Sequence, residues 1–167
     1  MANLLDGLQL VEGFAPVDLQ TAANNGDWVN SSNYHGIAVV FYSGVGTAGD
    51  DPTLTIQQAT DNAGTSAKAL NFTEIYVKQA ASSLAAVANY TVVTQAAANT
   101  YTEATSAEQV ALWSVQFDPI QLDVGNGFDH LRATVADIGS NPQPGMLLYL
   151  CGAPRFASTP ERLPSGV

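Results

Sequence analysis

Four groups of residues in this 167-residue chain have the types and spacing that chemistry uses. Gly44-Val-Gly-Thr-Ala-Gly49 fits the G-x-G-x-x-G pattern, in which a helix opening at the third glycine holds a pyrophosphate on its free amides. Here Asp50-Asp51-Pro52 follows, and the chain runs on into an alternating strand pattern, so two carboxylates stand where phosphate would bind. A glycine-rich turn is the expected outcome. The connection Asp118…Asp123…Asn126…Asp129 is dense in the oxygen ligands that Ca²⁺ takes, but it lacks the residue order and bidentate Glu of an EF-hand loop. Solvated turn residues are expected there, with no metal. Two of its aspartates could also serve as a glycosidase pair or hold a sugar, Asp123 and Asp129 being the residues to test.

His35 and His130 are the two imidazoles, and no H-x-H or H-E-x-x-H spacing joins them. His130 opens a strand beside Asp129 and reads as a hydrogen-bonded edge residue. Cys151 is the single cysteine, which rules out an intrachain disulfide, and its apolar setting in Leu147-Leu-Tyr-Leu-Cys151 predicts a buried, inert thiol. No G-x-S-x-G marks a nucleophilic serine. The expectation is a protein without catalytic residues or cofactors.

The elements that would position these groups read as strands. Ile37-Ala-Val-Val-Phe-Tyr-Ser43 is β-branched and aromatic, apolar on both faces and bounded by glycines, which predicts a central strand. Leu54-Thr-Ile-Gln-Gln58 alternates, as a strand with one wet face should. Phe72–Lys78 and Tyr90–Gln95 are further candidates, with one or two helical turns in the alanine-rich 79–89 stretch. The stretch Glu108–Phe156 supplies three more runs, 108–118, 130–138 and 146–152, which read together as a three-strand block. Turn residues separate them at Gly125-Asn-Gly127 and in 139–145. Seven or eight strands at even spacing predict an all-β, antiparallel sandwich with at most short helical turns.

Three segments are expected: 1–30 as an N-terminal extended segment and possible attachment arm, 31–156 as the sandwich and 157–167 as a C-terminal tail. In the first, the alternation at Leu8, Leu10 and Glu12 suits a short strand or an extended arm. Residues 17–23 could hold one helical turn. The exposed-looking leucines Leu4, Leu5, Leu8 and Leu10 either close one end of the domain or dock on a neighbour. Arg132 and Arg155 suit structural pairs with carboxylates or a bridge to another subunit.

Composition narrows the partners. Charged residues make up 12% of the chain, against about 25% in ordinary globular domains, so its surface is built from amides, hydroxyls and alanine. Fifteen acids against five Lys plus Arg give a formal net charge of −10 and no basic stripe. Nucleic acid and anionic membranes are therefore disfavoured as partners. No apolar run approaches the roughly 18 residues of a membrane-spanning helix, and Met1–Asp6 shows no secretion-signal pattern, so synthesis in a reducing cytoplasm is expected.

Taken in order, several segments are similar to a known group. They are Ala15-Pro-Val-Asp-Leu19, Gly26-Asp-Trp-Val-Asn30, Asn33-Tyr-His-Gly-Ile-Ala-Val-Val-Phe41 and Leu54-Thr-Ile-Gln-Gln58. Trp113-Ser-Val-Gln-Phe-Asp118, Phe128–Val135 and Leu147–Phe156 complete the series. From about Ala15 to Phe156 the chain resembles tailed-bacteriophage head decoration, or cement, proteins, matching poorly between 79 and 108. The resemblance implies a jelly-roll-like sandwich without catalysis, carried on the outer capsid surface of a virion. It implies that the protein bridges neighbouring major capsid subunits as a homo-oligomer, a trimer in many such systems. On that reading Leu4, Leu5, Leu8, Leu10 and the tail are contact candidates. The alternative is another virion component, such as a neck, tail or head-fibre subunit, that stacks host glycans on Trp28, Tyr34 or Tyr101.

Overall fold

A computed structural model describes residues 4–156 of the chain. After a 3₁₀ turn at Leu4–Gly7 the chain forms β1 (Leu8–Asp18), β2 (Asn24–Asn25), β3 (Val29–Asn30), β4 (Tyr34–Ser43), β5 (Thr53–Ala59) and β6 (Lys68–Ala69). It continues through β7 (Phe72–Ala80), β8 (Thr91–Ala98), β9 (Thr100–Thr102), β10 (Val110–Phe117), β11 (His130–Val135) and β12 (Pro144–Pro154). The strands pair antiparallel into two sheets. The larger has the order β1-β12-β4-β10-β7-β8 and the smaller β2-β11-β5-β6, with β3 also on β11 and β9 on β5.

The pairing is nested. β1 meets β12, β2 and β3 meet β11, β4 meets β10, and β5 meets β9. One long antiparallel hairpin rolled into two layers produces this order, which is that of a jelly roll. The β7–β8 hairpin is an insertion between β5 and β9, and it extends the larger sheet beyond β10. The sequence expectation of an all-β jelly-roll-like sandwich therefore holds.

The core lies between the sheets, where alternate residues of each strand meet. Trp113 is fully buried at its centre, 4.9 Å edge-on from Tyr101 and 5.3 Å from Phe41. Burying each such large side chain contributes about 1.5–3 kcal/mol. Tyr149 does something different. Its strand, β12, belongs to the larger sheet, yet its hydroxyl crosses the core to accept the Ala133 N–H of β11 at 2.9 Å and donates to the Asp27 carbonyl at 3.0 Å. β2 and β3 pair with β11 on either side of this point, so the phenol fills a missing rung of the smaller sheet. Gly26 makes room for it: a Cβ there would stand 2.5 Å from the hydroxyl.

Three expectations change. Residues 8–30 belong to the sandwich and not to a separate segment, because β1, which contains the strand read at Leu8–Glu12, pairs along β12, β2 and β3 pair with β11, and Leu19 and Val29 are fully buried. Leu8 is where the larger sheet begins. Residues 17–23 end β1 and enter a turn closed by the Thr21 N–H on the Asp18 carbonyl, not a helix. Glu108–Phe156 is not one block either: β10 and β12 flank β4 in the larger sheet, while β11 crosses to the smaller. In the 79–89 stretch a single 3₁₀ turn forms at Leu84–Ala86, capped by the Ser83 hydroxyl. The tail 157–167 lies outside the described residues.

Two predictions test this core. Replacing Tyr149 by Phe removes the rung and leaves the Ala133 N–H unpaired, so denaturant unfolding should show a loss of about 1–3 kcal/mol. The second concerns pH. Burial pushes the Cys151 thiol from 9.0 up to about 12 and raises the Tyr149 phenol above its ordinary 10.0. Both groups keep their protons in the folded state after the unfolded chain has lost them. Stability should therefore be fully present below about pH 9 and decline as pH rises toward 12, by up to ~1.4 kcal/mol per pH unit for each group. Unfolding midpoints measured across that range check it; a flat profile would contradict it.

Candidate interaction surface

The groups first singled out for chemistry are engaged in holding turns. In the glycine-rich turn, the Gly44 and Gly46 amides donate to the carbonyls of Pro144 and Ala107 at 2.8 and 2.7 Å. The Asp51 carboxylate accepts from the Ala107 N–H and the Ser106 hydroxyl, and Asp50 accepts from Asn141. No helix follows; the chain enters β5.

The acidic connection behaves similarly. Asp118 caps the 3₁₀ turn Pro119–Gln121 in a reciprocal capping box with Gln121. Asp123 pairs with Lys68 and accepts from Asn126, and the Lys68 hydrogen bond holds its carboxyl below the usual range. Lys68 also sits 3.8 Å over the Phe128 ring. Asp129 meets His130 Nδ1 at 2.6 Å at the start of β11. Among the described residues no cluster of three or more His, Cys, Asp or Glu is arranged to hold a metal ion.

The proposed partner residues divide between two places. Trp28 is buried, enclosed by Gly64 on one side and by the Arg132 guanidinium 4.6 Å over its ring. Arg132 donates twice to Gln57 Oε1, at 3.0 and 3.1 Å, and pairs with no carboxylate among the described residues. These two are structural. Tyr34 and Tyr101 are buried as well, which removes all three aromatic rings from the list of glycan-stacking surfaces. Arg155 lies at the far end of β12, where Nε reaches the Tyr34 carbonyl at 3.4 Å, and it lines a recess of about 410 Å³ with Asp118, Ile120 and Val124. It too lacks a carboxylate partner among the described residues. Leu4, Leu5, Leu8 and Leu10 gather at the β1 edge of the larger sheet, with Leu4, Leu5 and Leu10 exposed.

What joins Leu8 and Leu10 to a larger feature is the register. Cross-strand partners share a face. On the outer face, Leu10 stands beside Leu150 and Ala38, and Glu12 beside Leu148, Val40 and Ser114. Met146 stands beside Tyr42 and Leu112. The row through Ser114 continues across β7 and β8 with Tyr76 and Val92. The opposite residues of the same strands, Val39, Phe41, Val115, Leu147 and Tyr149, form the core. Both sides of this sheet are apolar; on the outer side Tyr90 packs edge-on 6.3 Å from Tyr76 and beneath Lys78, covering part of β7, while the outward residues of β1, β12 and β4 are half-buried or exposed. Tyr42 retains 38% of its surface and Leu10 54%. Toward one end the face dips into a shallow groove of about 570 Å³ between Leu8, His35, Ala38, Gln116 and Leu150.

The smaller sheet provides the contrast. Its outward residues are Thr53, Thr55 and Gln57 on β5 and His130, Arg132 and Thr134 on β11, the polar pattern expected of a wetted face. On the larger sheet the charged outward residues are Glu12, Glu74 and Lys78, in a chain with a net charge of −10. Six strands about 4.8 Å apart and roughly 25 Å long make this face about 600 Å². That is at the upper end of what monomers leave exposed and close to one side of a standard protein interface.

No family model matches the chain, and no curated protein matches it. Among solved structures it is similar to the crystal structure of the SPBc2 prophage-derived protein YomS, with a TM-score of 0.45 and 11% sequence identity, covering 85% of this chain and 92% of that one.

The two faces of one strand give opposite expectations. Leu148→Lys and Val40→Glu, which place charge on the open face with the lysine between Glu12 and the new glutamate, should leave the far-UV spectrum and unfolding midpoint close to those of the parent chain. Val39→Glu and Leu147→Glu, one residue away, bury an unpaired carboxylate and should prevent folding or cost several kcal/mol.

Proposed function

We propose that this chain is a non-catalytic structural protein of a phage particle that attaches to the outside of the capsid and bridges neighbouring major capsid subunits. The outer face of the larger sheet is its contact surface. The observation that carries the reading is that face: apolar, nearly uncharged and large enough for a stable interface, on a protein whose charge is otherwise strongly negative. The capsid context comes from the sequence resemblance to head decoration proteins.

The mechanism is burial. Covering apolar surface on a shell that crosses a subunit boundary raises the work needed to separate those subunits. Repetition over many sites multiplies the effect without any one contact being strong. The partner surface must itself be apolar or neutral, since Glu12, Glu74 and Lys78 offer it little charge to pair. Leu4, Leu5, Leu8 and Leu10 extend the contact along the β1 edge. Arg155, with the exposed Ile120, Val124 and Phe156 at that end of the sandwich, marks its boundary.

The test is to add purified protein to shells that lack it and to count bound copies per particle. Parent protein should bind in hundreds of copies, and the Val40→Glu/Leu148→Lys double variant, while folded, should bind at least tenfold more weakly. Full occupancy by that variant, or a dozen copies or fewer of the parent per particle, would overturn the proposal.

A further inference from the structure

We infer that β8 is a seam at which two copies of this chain pair, edge to edge, about a twofold axis. The edges of the larger sheet are treated very differently. β1 is guarded by Glu12, Pro16 and Asp18 and by two breaks in register, between Glu12 and Phe14 and between Phe14 and Val17. Such features prevent a further strand from adding. The edge elements of the smaller sheet are two or three residues long: β2, β3, β6 and β9. β8 has one register break, opposite Phe72–Glu74, but carries no charged or proline residue, and its Thr91–Thr94 run pairs without interruption along Glu74–Val77. It is eight residues, Thr91-Val-Val-Thr-Gln-Ala-Ala-Ala98, and among the described residues β7 is its only partner strand. Val92 and the adjoining Tyr90 are about half exposed beside it.

A second copy fits this edge for reasons of charge and symmetry. Two chains of net charge −10 repel wherever their acids meet, and β8 presents none. Antiparallel pairing of a strand with itself is self-complementary, so the contact closes as a pair and leaves no edge for further growth. The twofold axis stands perpendicular to the sheet, so the open faces of both copies look the same way. A six-stranded apolar face becomes a twelve-stranded one, while Tyr90 and Val92 are partly covered at the seam. The seam stands on the β8 edge alone and is tested in solution without any shell, so it can fail or succeed independently of capsid attachment.

The experiment is sedimentation equilibrium on the parent chain and on the Val92→Lys/Thr94→Lys variant. Both substituted side chains are exposed, and antiparallel pairing would bring four lysines together across the seam. The parent should sediment at twice the chain mass and the variant at the chain mass, with matching far-UV spectra. A parent monomeric at every concentration would overturn the inference, as would a trimer or other oligomer that the lysines leave intact. Should the variant fail to fold, deuterium exchange on the parent decides. β8 amides protected at high concentration and released on dilution support the seam; exchange as fast as in the 60–67 loop at all concentrations overturns it.

Discussion

The hydroxyl of Tyr149 is the interaction on which the rest of the structure turns. A sandwich held by apolar contact alone lets its sheets slide, because burial is non-directional. Here a side chain from the larger sheet completes the hydrogen-bond ladder of the smaller one, accepting from Ala133 and donating to Asp27. The bond fixes how the two layers lie on each other, and the gap between β2 and β3 exists only because the phenol fills it. Gly26, with no side chain, is the local condition for that geometry.

With the layers fixed in this way, each strand of the larger sheet has a determined inside and outside. β4 and β12 put Val39, Phe41, Leu147 and Tyr149 inward, which leaves Val40, Tyr42, Leu148 and Leu150 facing out. An ordinary outward face would carry Thr, Lys or Gln, as β5 and β11 do. The outward leucines Leu148 and Leu150 are only half-buried in the isolated chain, so a bound state supplies the simplest physical reason for them. Attachment to a shell, proposed above, is such a state.

The sheet content and the sandwich architecture were legible because strands and turns leave local marks, although the seven or eight strands expected became twelve among the described residues. Alternation at Leu54–Gln58 and the glycine-bounded apolar run at Ile37–Ser43 placed β5 and β4 correctly. The open face was half legible. A run apolar on both sides reads as a central strand, which β4 is, but sequence shows what a residue prefers and not what is absent above it. The start of β1 was legible in the alternation of Leu8, Leu10 and Glu12, but its continuation to Asp18 was hidden by Gly13 and Pro16, which break the pattern; the glycine is explained by the Leu147 side chain that occupies the space beside it. Lys68 as the partner of Asp123 had no local signal, since 55 residues separate the two. Trp28 appeared to be a surface ring and proved to be enclosed, because the Gly64 loop and Arg132 arrive from distant parts of the chain.

The central claim is that this protein works through the outer face of its larger sheet. Hydroxyl-radical footprinting of the free protein and of the same protein on its particle tests it most directly. The account predicts that Tyr42, Leu112, Met146, Leu148 and Leu150 react when free and are protected when bound, while Arg132 and its neighbours on the smaller sheet react equally in both states. Protection of the smaller sheet, with the larger sheet still labelled on the particle, would contradict it.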